Sequence, residues 1–123
     1  MKMSVAASLL SIVLFLAFGS AGAQKIIFNP VMSKAADHLG FTKRSYRAIG
    51  LVEVLGAVGL LVGLAAKGSS LLAIVNETAA GGLFVMMGLA VSVHLRKGDK
   101  AKYFAPALVL GVLAGAELAF RLN

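Results

Sequence analysis

The chain has no cysteine and no tryptophan, only two prolines, and only five acidic residues in its 123. Without cysteine it forms no disulfide, holds no thiolate-bound metal and carries no dithiol redox centre, so any redox chemistry must come from a bound group or a partner. So few carboxylates leave the twelve Lys and Arg residues unbalanced, for a formal net charge of +7. That sign invites a nucleic-acid reading. The basic residues, however, sit in short segments beside apolar runs, where they read as topology signals, and no nucleic acid is expected as a partner. What the chain does have is apolar surface: 59% hydrophobic residues and fourteen glycines. This is the profile of a polytopic membrane protein and not of a soluble domain of this size.

A hydrocarbon core of about 30 Å and a helical rise of about 1.5 Å per residue leave room for roughly four spans of about 20 residues. Polar punctuation marks them out as Ser4–Ala23, Ala48–Ala66, Leu71–Leu95 and Phe104–Leu122. Barrel strands would be shorter and would alternate, so all four read as helices. The expected fold is all-α, a polytopic membrane four-helix bundle forming a single integral membrane domain over residues 1–123. The first run is ambiguous, because Met1-Lys2 before it and Ser20-Ala21-Gly22-Ala23-Gln24 at its end also fit a secretory signal peptide with a small-residue cleavage site. An uncleaved span is the expectation.

The connection after the first span is not a plain loop. Asn29 suits an N-cap, Pro30 the first helical position and Gly40 a position just past a helix end. Between them Val31, Met32, Ala35, Ala36 and Leu39 form an apolar stripe, which predicts a short interfacial helix over residues 30–39, with Lys34 reaching up to the lipid head groups and Thr42 capping the next span. Lys25, Lys34, Lys43, Arg44, Arg47, Arg96, Lys97, Lys100 and Lys102 fall on one side of a four-span topology, and Lys2, Lys67 and Arg121 on the other. The bias puts both termini on the non-cytoplasmic side of the cell membrane.

Three of the five acidic residues, Glu53, Glu77 and Glu117, lie inside the apolar runs. Ionisable groups there are expensive and mark a site or a structural pair. Glu53 enters its span from the cytoplasmic end by roughly 8 Å, and His94 closes the third span at the same end, so the two are expected to meet. Asn76 lies 18 residues, or about five turns, before His94 and shares its stripe; Glu77 is turned about 100° away. Glu53, His94, Asn76 and Glu77 are therefore the candidate intramembrane polar site, and Glu117 with Arg121 a candidate i,i+4 ion pair. Gly56, Gly59, Gly63, Gly111 and Gly115 are candidate helix-packing positions, since small residues four apart let helices approach closely. A desolvated carboxylate beside an imidazole is suited to proton exchange, but the same pair serves equally as a hydrogen bond that fixes helix register. No nucleophile or metal-ligand set accompanies it, so no catalytic residue and no metal is assigned.

The run Ala48-Ile49-Gly50-Leu51-Val52-Glu53-Val54-Leu55-Gly56-Ala57, the segment Val93-His94-Leu95-Arg96-Lys97-Gly98-Asp99 and Pro106-Ala107-Leu108 occur in an order and spacing that resemble the DoxX-like family of small four-helix membrane proteins. The resemblance runs from about Lys25 through the last span. It implies that Glu53 and His94 are the recurring polar positions. Relatives of that kind include membrane subunits linked to thiosulfate:quinone oxidoreduction, partners of a superoxide dismutase and a sulfurtransferase, and animal proteins resembling receptor-assembly chaperones. A chain without cysteine is poorly equipped for sulfur chemistry. The expectation is therefore a non-catalytic accessory or assembly subunit, with membrane lipids and other membrane-protein subunits or further copies of itself as partners. The alternatives are a quinone-linked oxidoreductase subunit with a Glu/His proton relay, and a small proton-coupled carrier. No cofactor is required by the first reading; a quinone or a lipid between apolar helices fits the second.

Overall fold

The computed structural model describes residues 5–65 and 70–122, without the side chains of residues 7, 65, 70 and 120–122. The expected turn around Lys67, and the side chain of Arg121, lie outside the described residues.

The protein is all-α, with helices α1 (Val5–Ile27), α2 (Pro30–Leu39), α3 (Lys43–Val62), α4 (Ser70–Arg96) and α5 (Ala101–Leu122), and a 3-10 turn, Gly63–Ala65, at the end of α3. Four of these helices are long and apolar enough to cross a membrane. Two bounds differ from expectation in ways that matter. Helix α1 continues past Ala23 to Ile27, so Lys25 stands on a helix and not in a loop; α3 begins at Lys43, five residues ahead of the apolar run at Ala48 and directly after Thr42, which caps it as expected by accepting from the Ser45 N–H. Helix α5 begins at Ala101 and carries Pro106 inside it, where the missing N–H leaves the Lys102 carbonyl without its helical donor.

The short helix α2 is delimited by its own sequence. Asn29 Oδ1 accepts from the Met32 N–H at 2.9 Å and Pro30 opens the helix. At its end Gly40 takes φ +83°, and the N–H groups of Phe41 and Gly40 fold back onto the carbonyls of Ala36 and Asp37. This is a Schellman closure, and its left-handed residue favours glycine. Before α2, Phe28 also sits at positive φ, 58°, a conformation that costs a non-glycine residue on the order of 1–2 kcal/mol. Its ring packs edge-on against Tyr46 at 6.4 Å.

Helix α1 packs most extensively on α3, then α4 on α5, with α3 and α4 in more limited contact. The α1–α3 seam is legible as two matched stripes. Ser11, Leu14, Phe18 and Gly22 are buried on α1, and Tyr46, Gly50, Glu53, Ala57 and Leu60 on α3, each set at the three- and four-residue steps of one helix face. Leu14, Phe18, Ala57, Leu60, Ala80, Leu83, Met87 and Ala114 make the core, with every long helix represented. Lipid is as apolar as these side chains, so close packing and interhelical hydrogen bonds, not exclusion from water, hold such helices together. The closest backbone approach is at Gly22 and Gly50: a Cβ on Gly22 would lie 2.5 Å from the Gly50 carbonyl oxygen, and one on Gly50 2.6 Å from that of Gly22.

Candidate functional site

The Gly22–Gly50 crossing determines what the two helices bring together. They run antiparallel here, with Gly50 against Lys25 and Ile26 and Gly22 against Val54, so Lys25 and Glu53 fall within the crossing, and the Lys25 Nζ meets Glu53 Oε1 at 2.5 Å. Glu53 is 1% exposed. The Lys25 ammonium also stands 5.6 Å from the centre of the Tyr46 ring, a residue four positions before Gly50 and held between Phe28 and Phe41. The buried carboxylate of α3 is thus neutralised by a lysine of α1 beneath an aromatic lid.

His94 is engaged elsewhere. Gly98, at φ +72°, turns the chain after α4 so that the Asp99 N–H bonds the His94 carbonyl at 3.1 Å. The same reversal brings the Asp99 carboxylate against the ring, with Oδ2 2.6 Å from His94 Nδ1 and Oδ1 2.6 Å from Nε2 of His38 on α2. An ionised carboxylate only accepts, so both ring nitrogens donate. These hydrogen bonds, the one from His94 foremost and that from His38 next, hold the Asp99 carboxyl below its usual range. The expected meeting of Glu53 with His94 is therefore replaced by two separate clusters, because Lys25 and Asp99 are nearer partners for each.

The other end of the bundle carries two more ties. Ser11 Oγ on α1 donates to Glu117 Oε1 on α5 at 2.5 Å, with both residues fully buried. Asn76 Nδ2 on α4 donates to the Leu60 carbonyl of α3 at 2.9 Å, where the 3-10 turn begins to relax the helical pattern. Asn76 Oδ1 is buried and has no hydrogen-bond partner among the described residues. Glu77 is half-buried on the flank of α4 that also bears Gly81 and Phe84, whose neighbours are Leu118 and Gly115 of α5. The expected Glu117–Arg121 pair lies outside the described residues on its Arg121 side.

The glycines divide by seam. A Cβ on Gly56 or Gly59 would meet Leu83 at 2.8 Å or Ala79 at 2.7 Å across α3 and α4; on Gly111 or Gly115 it would meet Met87 or Phe84 at 3.0 Å across α4 and α5. Gly63 is buried in the 3-10 turn. On its outer side the α3–α4 seam opens into a groove of about 420 Å³, lined by Val52, Leu55, Ile74, Val75, Thr78 and Gly82 with the packed residues beneath. No group of three or more acidic or histidine residues able to hold a metal occurs among the described residues.

Sequence reasoning did not pick out Lys25, Ser11, His38 or Asp99 as partners. The two small residues Gly22 and Gly50, which let α1 and α3 approach closely beside Lys25 and Glu53, were the available signal for the first. A glycine followed by an aspartate five residues after His94 was the signal for the last.

No curated protein and no solved structure matches the chain. The profile of the DoxX-like family matches residues 9–116, a stretch that takes in most of each of the four apolar helices, the α2 elbow and every residue of these ties except Glu117. The chain belongs to the DoxX-like family, and it is a multi-pass membrane protein.

Proposed function

We propose that this protein is a non-catalytic accessory or assembly subunit of a larger complex in the cell membrane, with both termini on the non-cytoplasmic side. The observation that supports this reading is the series of internal ties: Lys25–Glu53 joins α1 to α3, Asn76–Leu60 joins α3 to α4, Ser11–Glu117 joins α1 to α5, and His38–Asp99–His94 joins α2 to α4. Polar groups used in this way fix helix register and present a rigid apolar exterior, which suits a surface for other membrane subunits or further copies of the chain. The orientation rests on the excess of Lys and Arg at the α2 and α4–α5 end.

A second reading, a quinone-linked oxidoreductase subunit, draws on the apolar groove between α3 and α4. Affinity purification in a mild detergent, with mass spectrometry of co-eluting proteins and of extracted lipids and quinones, separates the two. A protein partner in fixed stoichiometry is the expected result. A chain that elutes alone with a bound quinone replaces the first reading by the second.

A further inference from the structure

Two basic segments that the sequence keeps some fifty residues apart are brought together at one end of the bundle. The His38–Asp99–His94 cluster ties α2 to the α4–α5 turn, and the Lys97 ammonium reaches across to within 3.8 Å of where a Cβ on Gly40 would stand. Lys34, Lys43 and Arg44 from the first segment, and Arg96, Lys97 and Lys100 from the second, are all exposed. The cluster also engages one of the carboxylates of this face. Asp99 is hydrogen-bonded by two imidazoles, with its side chain 9% exposed, and Asp37 is the exposed carboxylate of the two segments.

We propose that the α2 elbow and the α4–α5 turn form one cationic face that binds the head groups of anionic phospholipids. Helices α3 and α5 both start here, and neither has an acidic residue in its first turn. Lys43 and Arg44 open α3, and Lys102 is the second residue of α5. Cations at a helix N-terminus oppose the helix dipole, and an anion bound from outside relieves that opposition. The surroundings select a lipid over a soluble anion. Lys43 Nζ lies 5.6 Å from the Phe28 ring and Lys102 Nζ 5.1 Å from the exposed ring of Tyr103. Ile27 and Val31, on either side of the α1–α2 junction that holds Phe28, stand 72% and 67% exposed. Ammonium groups on aromatic rings, next to bare aliphatic surface, suit the boundary between head group and acyl chain.

The test is native mass spectrometry of the purified full chain in detergent, titrated with phosphatidylglycerol or with phosphatidylcholine of the same acyl chains. Several-fold greater retention of phosphatidylglycerol is expected. Lys43→Gln combined with Lys97→Gln brings the ratio towards unity, the double arginine variant keeps it, and excess inorganic phosphate displaces nothing. Equal retention of the two lipids by the unaltered chain overturns the proposal, as does an unchanged ratio in a folded glutamine variant. Displacement by phosphate also overturns it, in favour of a soluble-anion site. The lipid comparison on the unaltered chain decides the matter even if the glutamine variant does not fold.

Discussion

Helix α3 presents two unlike faces. Towards α1 it meets backbone with backbone at Gly50, and one turn later its buried carboxylate is bonded to a lysine. Towards α4 its glycines meet side chains, Leu83 and Ala79, one neutral hydrogen bond crosses the seam, and a groove of about 420 Å³ stays open on the outer side. The first seam is specified by charge and by the absence of two Cβ atoms. The second is specified chiefly by shape, with a single neutral bond among the described residues, and leaves apolar surface open between the two helices. One helix therefore serves as the fixed wall of one seam and the adaptable wall of the other.

The largest expected effect breaks the first seam. Removing one member of a buried pair leaves the other charge uncompensated, which costs about 3–5 kcal/mol. Lys25→Met alone and Glu53→Leu alone are each expected to lose that much in reversible unfolding in mixed micelles, while the double change to Met and Leu recovers most of it. Single changes no more harmful than the double one would show that the seam is held by packing and not by the ion pair.

Next in size is a paired comparison of glycines on the two seams. A Cβ at Gly50 would run into a backbone oxygen, which cannot swing aside as a side chain can, and overpacking of this kind costs about 1–3 kcal/mol. Gly82, on the groove side of α4, has nothing within 4 Å of its Cβ position. Gly82→Ala is expected to be neutral or stabilising by up to about 1 kcal/mol through helix propensity. The same unfolding assay reads both. Equal losses at the two positions would mean that the groove closes in the membrane-embedded protein.

The parts of this arrangement that could be read from sequence were those with local causes. Asn29, Pro30 and Gly40 delimit α2 because capping needs only neighbouring residues. Runs of apolar residues located the four long helices because span length is dictated by the bilayer. Partner choice was harder. Glu53 and His94 stand at the same end of the bundle, and depth alone suggested that they meet. The actual partners follow from where α1 ends and how the chain turns after α4: Lys25 is helical because α1 runs on to Ile27, and Asp99 folds over His94 because Gly98 takes a left-handed conformation. Both are details of helix termini, where a shift of one turn moves a side chain to another face. Ser11 carried no signal, since a lone serine in an apolar helix is common; its importance depends on α5 placing Glu117 opposite it.

A smaller effect belongs to the cluster that pins α2. The Asp99 carboxyl is held below its usual range by His94 and His38, so its contribution is complete above the ordinary carboxylate pKa and disappears as pH falls through the depressed folded value. The protection factor of the α2 amides, their exchange taken against the intrinsic rate at each pH, is therefore expected to fall as pH drops through the depressed Asp99 value. Asp99→Asn is expected to give faster exchange at neutral pH and to abolish the acid step. A step that begins well above the usual aspartate range would place the titrating group elsewhere.

The smallest effect is expected at Asn76, and it bears most directly on the difference between the two faces of α3. Its amide gives one hydrogen bond to the Leu60 carbonyl, and bonds of this kind between membrane helices average about 0.6 kcal/mol. Its Oδ1 is buried without a partner among the described residues, a cost that Asn76→Leu removes together with the bond. The two changes oppose each other, so the leucine variant should unfold within about 0.5 kcal/mol of the original chain, the range usual for substitutions that break no essential contact. Such near-neutrality would confirm that shape, and not polar bonding, joins α3 to α4. A loss approaching that of Glu53→Leu would instead show that Asn76 locks this seam as firmly as Lys25 locks the other, and that the groove beside it is a rigid feature of the bundle.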